Sequence, residues 1–169
     1  SEQGNPMLEA NPGGAPCNVL AMLQNYGYKT SFIGKVGNDT FGKMLAETIR
    51  NVGIGTEGLV FDDKVPTTLA FVHTQAGGER DFSFYRDPGA DMNLKKEDLS
   101  EELLTGCRIF HFGSLSLTHE GCREATAAAV AMAREAGALI SFDPNLREPL
   151  WKSLEEAKDR IAWGLGQCD

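Results

Sequence analysis

Between Ala15 and Gly27 the order Pro16, Val19, Leu23, Tyr26 sets a proline in a first turn, apolar residues at helical spacing and a glycine at the end. That pattern predicts a helix following the Gly13-Gly14 turn. Ser31 to Gly34 reads as a short strand, after which Phe41, Leu45, Ile49 and Val52 repeat at helical intervals behind Asn38 or Asp39 as a cap, so a second helix is expected to end near Gly53. The period then changes. LAFVHT at 69–74 and RDFSFYR at 80–86 are β-rich runs joined by AGGE, which predicts a hairpin. Alternation along its second arm puts Phe82, Phe84 and Arg86 on one face and Asp81, Ser83 and Tyr85 on the other, and so aromatic a face must cover something. Further on, the pattern predicts a short helix around 95–105, a buried-type strand in RIFHFGS at 108–114 and an Ala-rich helix from His119 to Ala136 that stops at Gly137. ALISFD at 138–143 is the next strand, and Ser153 with Glu156 matches a capping box for a helix reaching about Gly164.

Strands alternating with long helices imply an α/β fold: a mostly parallel sheet with helices on both faces, into which the hairpin is inserted as a flap. Ligands of such sheets sit at the carboxyl ends of the strands. The loop before the first helix and the loop after ISF are both placed to open onto that edge.

Composition narrows the function classes. With 169 residues, 41% of them hydrophobic and 24% charged, the chain has the make-up of an ordinary globular domain. No stretch approaches the roughly 18–20 apolar residues of a membrane span, and SEQGNP lacks the regions of a signal peptide, so the expected address is cytoplasmic. A formal charge of −8 argues against nucleic acid or an anionic membrane as the main partner and favours a small neutral substrate. Cys17, Cys107, Cys122 and Cys168 form no CxxC pair and are expected to be reduced thiols. His73, His111 and His119 lack the spacing of a helical metal site, which leaves buried hydrogen-bonded or capping roles.

Three segments carry candidate chemistry. In NPGGAPCN, at 11–18, adjacent glycines let a backbone approach a ligand closely, and a helix start offers unpaired N–H groups beside Asn18. The plainer reading is a tight turn with Asn18 exposed. It is not a Walker A loop, because no glycine-lysine-serine/threonine follows at the required spacing. Read by itself, the aromatic face of DFSFYR fills an interface between flap and body or between subunits. SFDPNLREPLW, at 141–151, follows a strand; read by itself it is a turn, with Arg147 a surface residue paired to Glu148 or Glu155.

Gly13, Gly14, Asn18, Gly27 and Gly37, running through GGAPCNVLAMLQNYGYKTSFIGKVG into NDTFG, resemble the first signature of the PfkB (ribokinase-like) carbohydrate kinases, and DPNLR resembles the fructokinases among them. Leu20 departs from the signature, standing where the family has a small residue. The resemblance implies that Gly13, Gly14 and Asn18 contact substrate hydroxyls, that Phe84 and Arg86 belong to a β lid closing over the sugar, that Asn145 positions substrate, and that Arg147 stabilises charge on the transferred phosphoryl group. It further implies ATP and Mg²⁺ as cofactors of the full-length member, no metal held by this chain, and a homodimer formed through the lid. Lid elements are expected at about 1–12 and 59–88 and the α/β body at about 13–58 and 89–169. The family's GE-x-x-x-D, N-x-x-E and DT-x-GAGD segments are not in this sequence, so the fold is expected to be incomplete at both ends. No catalytic base is assigned, and the fragment alone is expected to be inactive. The leading expectation is phosphorylation of D-fructose; the alternatives are a kinase for 2-keto-3-deoxygluconate or ribose, or a sugar-binding protein without catalysis.

Overall fold

The turn before Ala15 fixes where the first helix begins. Gly14 takes φ +123°, a setting that L side chains rarely adopt, and Pro16 sits in the first turn of α1 (Ala15–Asn25). The computed structural model describes residues 2–74 and 77–169. β1 (Ser31–Gly37) is longer than the run predicted for it. α2 (Thr40–Asn51) starts at Asp39, whose carboxylate accepts a hydrogen bond from the Gly42 N–H at 2.8 Å.

β2 (Gly55–Asp62) was not among the expected elements; it runs parallel to β1 in a register from Ser31↔Gly55 to Gly37↔Asp62. Residues 59–62, expected with the lid, are thus paired to β1, and residues 5–12 form neither helix nor strand. β3 (Leu69–Thr74) and β4 (Arg80–Tyr85) make the predicted antiparallel hairpin, with Leu69↔Tyr85 at one end and Thr74↔Arg80 at the other. Ala76 of its AGGE turn lies outside the described residues.

After a 3-10 turn at Ala90–Asn93 come α3 (Glu101–Gly106), β5 (Ile109–Gly113), a second such turn at Ser114–Leu117, and α4 (Glu120–Glu135). β6 (Leu139–Asp143) runs parallel to β5, and α5 (Leu154–Leu165) begins at Ser153, whose hydroxyl accepts from the Glu156 N–H at 3.1 Å as the capping pattern predicts.

The strands expected to form one mostly parallel sheet form two parallel pairs, β1–β2 and β5–β6, beside the separate hairpin. None of the described strands is hydrogen-bonded to both pairs, while α1 touches β1 and β5. The main core lies between the Phe112 and Ile140 face of β5–β6 and the helices α3, α4 and α5, and it takes in Leu104, Leu117, Val130 and Trp151. Ala125, Ala129 and Ala133 give α4 a small-residue stripe that is fully or almost fully buried. Leu104 and Leu117 are both inaccessible to solvent; each such side chain contributes about 1.5–3 kcal/mol.

Candidate functional site

Because β5 and β6 are parallel and in register, their carboxyl ends, Gly113 and Asp143, lie side by side. A Cβ built on Gly113 would stand 3.9 Å from the Asp143 carbonyl oxygen and 3.9 Å from Pro16 Cγ. The first turn of α1 therefore comes within van der Waals reach of that edge. One residue on, the hydroxyl of the fully buried Ser114 donates to the carbonyl of Asn145. Further along the same turn, Arg86 Nη2 donates to the Leu115 carbonyl at 3.1 Å and Nη1 to Thr118 Oγ1 at 2.8 Å. The first turn of α1, which follows the diglycine, the root of the aromatic hairpin and the DPNLR corner thus converge on one short segment, residues 113–118.

Gly13 and Gly14 are exposed, with open space where a Cβ would stand. No side chain caps the start of α1, and Pro16 removes one of its unpaired N–H groups. Asn18 is exposed, and its N–H donates to the Gly14 carbonyl at 3.0 Å. Asn145 is half-buried. Arg147 is exposed, donates only to its neighbour's carbonyl (Leu146) at 3.2 Å and, among the described residues, is not ion-paired to Glu148 or Glu155. Its charge is therefore available to an anion at this edge. On the hairpin, Phe82 and Phe84 stack with ring centres 6.0 Å apart, and Phe84 is the more buried of the two. Arg86 is the one named candidate whose guanidinium is already taken up, by Asp91 as well as by Leu115 and Thr118. These elements frame an open edge. Two shallow hollows are formed elsewhere, one between α3 and α4 around Thr105 and Met132, the other along β6 around Leu139 and Asp169.

The carboxyl end of the β1–β2 pair is bound up in its own polar network. Asp39 accepts from the Thr67 N–H, the Thr67 hydroxyl and the Gly42 N–H, each at 2.8 Å, and the Thr67 hydroxyl in turn accepts from the Gly37 N–H at 3.0 Å. Partial burial pushes the Asp39 carboxyl up, but these donors outweigh it and hold the group below its ordinary range. Lys35 bridges Asp98 at 2.9 Å and Asp62 at 3.9 Å. Asp62 is likewise held below its ordinary value, chiefly by the Lys64 N–H, with burial opposing and Val65, Asn93 and Lys35 helping. Gly42 of the NDTFG stretch and Gly37 just before it serve this packing: a Cβ at Gly42 would fall 2.0 Å from the Gly37 carbonyl oxygen.

His111 pairs through Nδ1 with Ser141 Oγ at 2.9 Å; burial lowers its pKa and Asp143 opposes that. His119 precedes α4 and contacts the Met92 carbonyl through Nδ1 at 3.1 Å. All four cysteines are free thiols, and burial pushes Cys17 and Cys122 up to about 11, so neither is a ready nucleophile. Among the described residues no helix is long and apolar enough to cross a membrane, and no group of three or more His, Cys, Asp or Glu is arranged to hold a metal ion. Sequence reasoning missed Asp91, Thr68, Thr118 and Asp39 with Thr67. Of these only Asp39 carried a signal, as a candidate helix cap.

The parallel pairs flanked by helices, with a β hairpin rooted beside their carboxyl edge, define an α/β protein of the ribokinase-like kind. A model of the pfkB family carbohydrate kinases matches residues 5–169, and the chain belongs to that family. It is 51% identical over 164 residues to fructokinase-1 of Zea mays, covering 97% of this chain and 51% of the relative. A fructokinase from Xylella fastidiosa, solved with bound ATP, superposes with a TM-score of 0.87 at 38% identity, over 93% of this chain and 48% of that one. A fructokinase from Vibrio cholerae O395, solved with fructose, ADP and calcium ion, does so with a TM-score of 0.83 at 32% identity, over 93% of this chain and 50% of that one. The chain spans about half the length of the curated relatives it matches.

Proposed function

We propose that this chain is the sugar-binding part of a cytoplasmic, ATP-dependent fructokinase. The observation that carries the reading is the convergence of the first turn of α1, just after the diglycine, the hairpin root and the DPNLR corner on residues 113–118. Gly13 and Gly14 let the backbone approach the sugar, and Asn18 with Asn145 reads its hydroxyls. A buried polar group left without its partner costs about 1–3 kcal/mol, which is how isomers of one neutral sugar are told apart. The hairpin, with Phe84 innermost, closes over the sugar and excludes water that would compete for the phosphoryl group. Arg147, unpaired at the edge, neutralises charge developing on that group. ATP supplies the phosphoryl group, and Mg²⁺ enters with the nucleotide. No base is assigned to this chain's residues.

Both faces of the hairpin carry exposed apolar groups, Val72 and Phe82 on one and Phe71 and Tyr85 on the other. That supports a homodimer formed through the lid as well as a sugar cover. The reading is tested by a coupled ADP-release assay on the full-length protein with fructose, ribose and 2-keto-3-deoxygluconate. Turnover with fructose at the highest kcat/KM is expected, and none from the 169-residue chain alone. Fructose-dependent turnover by the isolated chain, or preference for another sugar, would contradict it.

A further inference from the structure

Both legs of the hairpin are gripped at their roots by one carboxylate. Thr68, the residue before β3, donates its hydroxyl to Asp91 Oδ1, and Arg86, the residue after β4, sets Nε 2.7 Å and Nη2 2.6 Å from Asp91 Oδ2. The guanidinium also reaches the body of the molecule through Thr118 Oγ1 and the Leu115 carbonyl. All three of its nitrogens are engaged, and the side chain is 10% exposed. The surroundings leave no slack: a Cβ at Gly89 would stand 2.1 Å from Thr68 Oγ1 and 2.9 Å from Arg86 Cγ, and the fully buried Ala90 donates its N–H to the Pro66 carbonyl at 2.9 Å.

A two-stranded hairpin is marginally stable by itself, so its order and its pose depend on where it is anchored. Here the anchor is the same turn that meets α1 and Asn145. An arginine beside substrate also suggests a receptor for a carboxylated sugar, but this arginine has its charge answered by one carboxylate oxygen, Asp91 Oδ2, that takes both Nε and Nη2, and its remaining nitrogen by a hydroxyl. A second carboxylate would meet Asp91 as well as Arg86.

Resting on the sugar-kinase reading above, we infer that Arg86 is a positioning residue and not a substrate contact. With Asp91 it clasps the lid to the 113–118 turn, and its charge, already neutralised, is not free to receive a sugar acid.

The clasp is tested in the 169-residue chain by amide hydrogen exchange, comparing wild type with Arg86→Ala, Asp91→Asn and Thr118→Val. Amides of β3 and β4 are expected to exchange at least tenfold faster in Arg86→Ala and Asp91→Asn, with those of α4 and β5 unchanged. Thr118→Val, which keeps the side-chain volume and removes one bond, should shift them the same way by less, and it guards against the charge variants failing to fold. Lid exchange at the wild-type rate in all three variants would overturn the clasp. The substrate half is tested in the full-length protein by steady-state kinetics. Arg86→Ala should raise the KM for fructose at least tenfold with a smaller change in kcat, and 2-keto-3-deoxygluconate should be a poor substrate with or without Arg86. Wild-type kcat/KM for the sugar acid within tenfold of that for fructose, lost in Arg86→Ala, would overturn the substrate half. Faster lid exchange in a protein that phosphorylates neither sugar would uphold the clasp and sink the substrate half together with the kinase reading.

Discussion

Replacing Gly42 by alanine tests how tightly α2 is seated on the end of β1. Gly42 is the third residue of α2, and a Cβ there would lie 2.0 Å from the Gly37 carbonyl oxygen and 2.9 Å from Thr67 Oγ1. Non-bonded heavy atoms settle at about 3.5 Å, so the start of the helix has to withdraw by more than about 1 Å. That movement pulls on the bonds Asp39 makes to Gly42 and Thr67 and on the bond from Gly37 to Thr67. Overpacking of this kind costs about 1–3 kcal/mol and loss of the cap about 1 kcal/mol more, while alanine's better helix propensity returns less than about 1 kcal/mol. The net expectation is a loss of about 2 kcal/mol, read by urea denaturation as a midpoint lower by about 1 M at a slope of about 2 kcal/mol/M. Gly106, the last residue of α3, has nothing within 4 Å of a built Cβ, so Gly106→Ala is the control and should be neutral or stabilising by up to about 1 kcal/mol. Equal midpoints for the two variants would refute the reasoning.

Asp39 titrates lower when folded than when unfolded, so its stabilisation is full above the ordinary carboxylate value of about 3.9 and is lost as pH falls through the depressed folded value. The stability gap between wild type and Asp39→Asn, measured by denaturation from pH 7 to pH 2, should therefore narrow only in the acid range; a gap that is constant across it counts against the network. Leu104→Ala empties a side chain with no solvent access and should cost about 2–5 kcal/mol in the same assay. In the full-length protein Arg147→Ala should lower kcat by about 10²–10³ with little change in the sugar KM. A variant that changes KM alone would move Arg147 from charge stabilisation to sugar binding.

Local signals carried the elements whose residues advertise them. α1 announces itself through Gly14 and Pro16, α2 through Asp39, and α5 through Ser153 with Glu156, because caps and turns are written within a few residues of where they act. β2 escaped because packing demanded glycine inside a strand. A Cβ at Gly58 would meet Ile33 Cγ1 at 2.8 Å and the Phe32 carbonyl at 2.9 Å, and that same glycine erases the β-rich pattern by which strands are recognised. The sheet reads as continuous from its alternation of strands and helices, yet β1 and β5 are not bonded to each other, since pairing is decided between segments far apart in sequence. At the candidate site, the glycine pair and DPNLR were legible as motifs. The clasp was not: Asp91 lies 23 residues from Thr68, and Thr118 lies 32 from Arg86, separations that no periodicity encodes.

The central claim, that three separated segments frame one sugar site around the turn after β5, is tested most directly by titrating fructose into the protein and following backbone amide chemical shifts. The account predicts saturable shifts at 13–18, 84–86, 113–118 and 143–147, moving together with a single dissociation constant. Shifts confined to the hollow along β6, or scattered without a common constant, would contradict it.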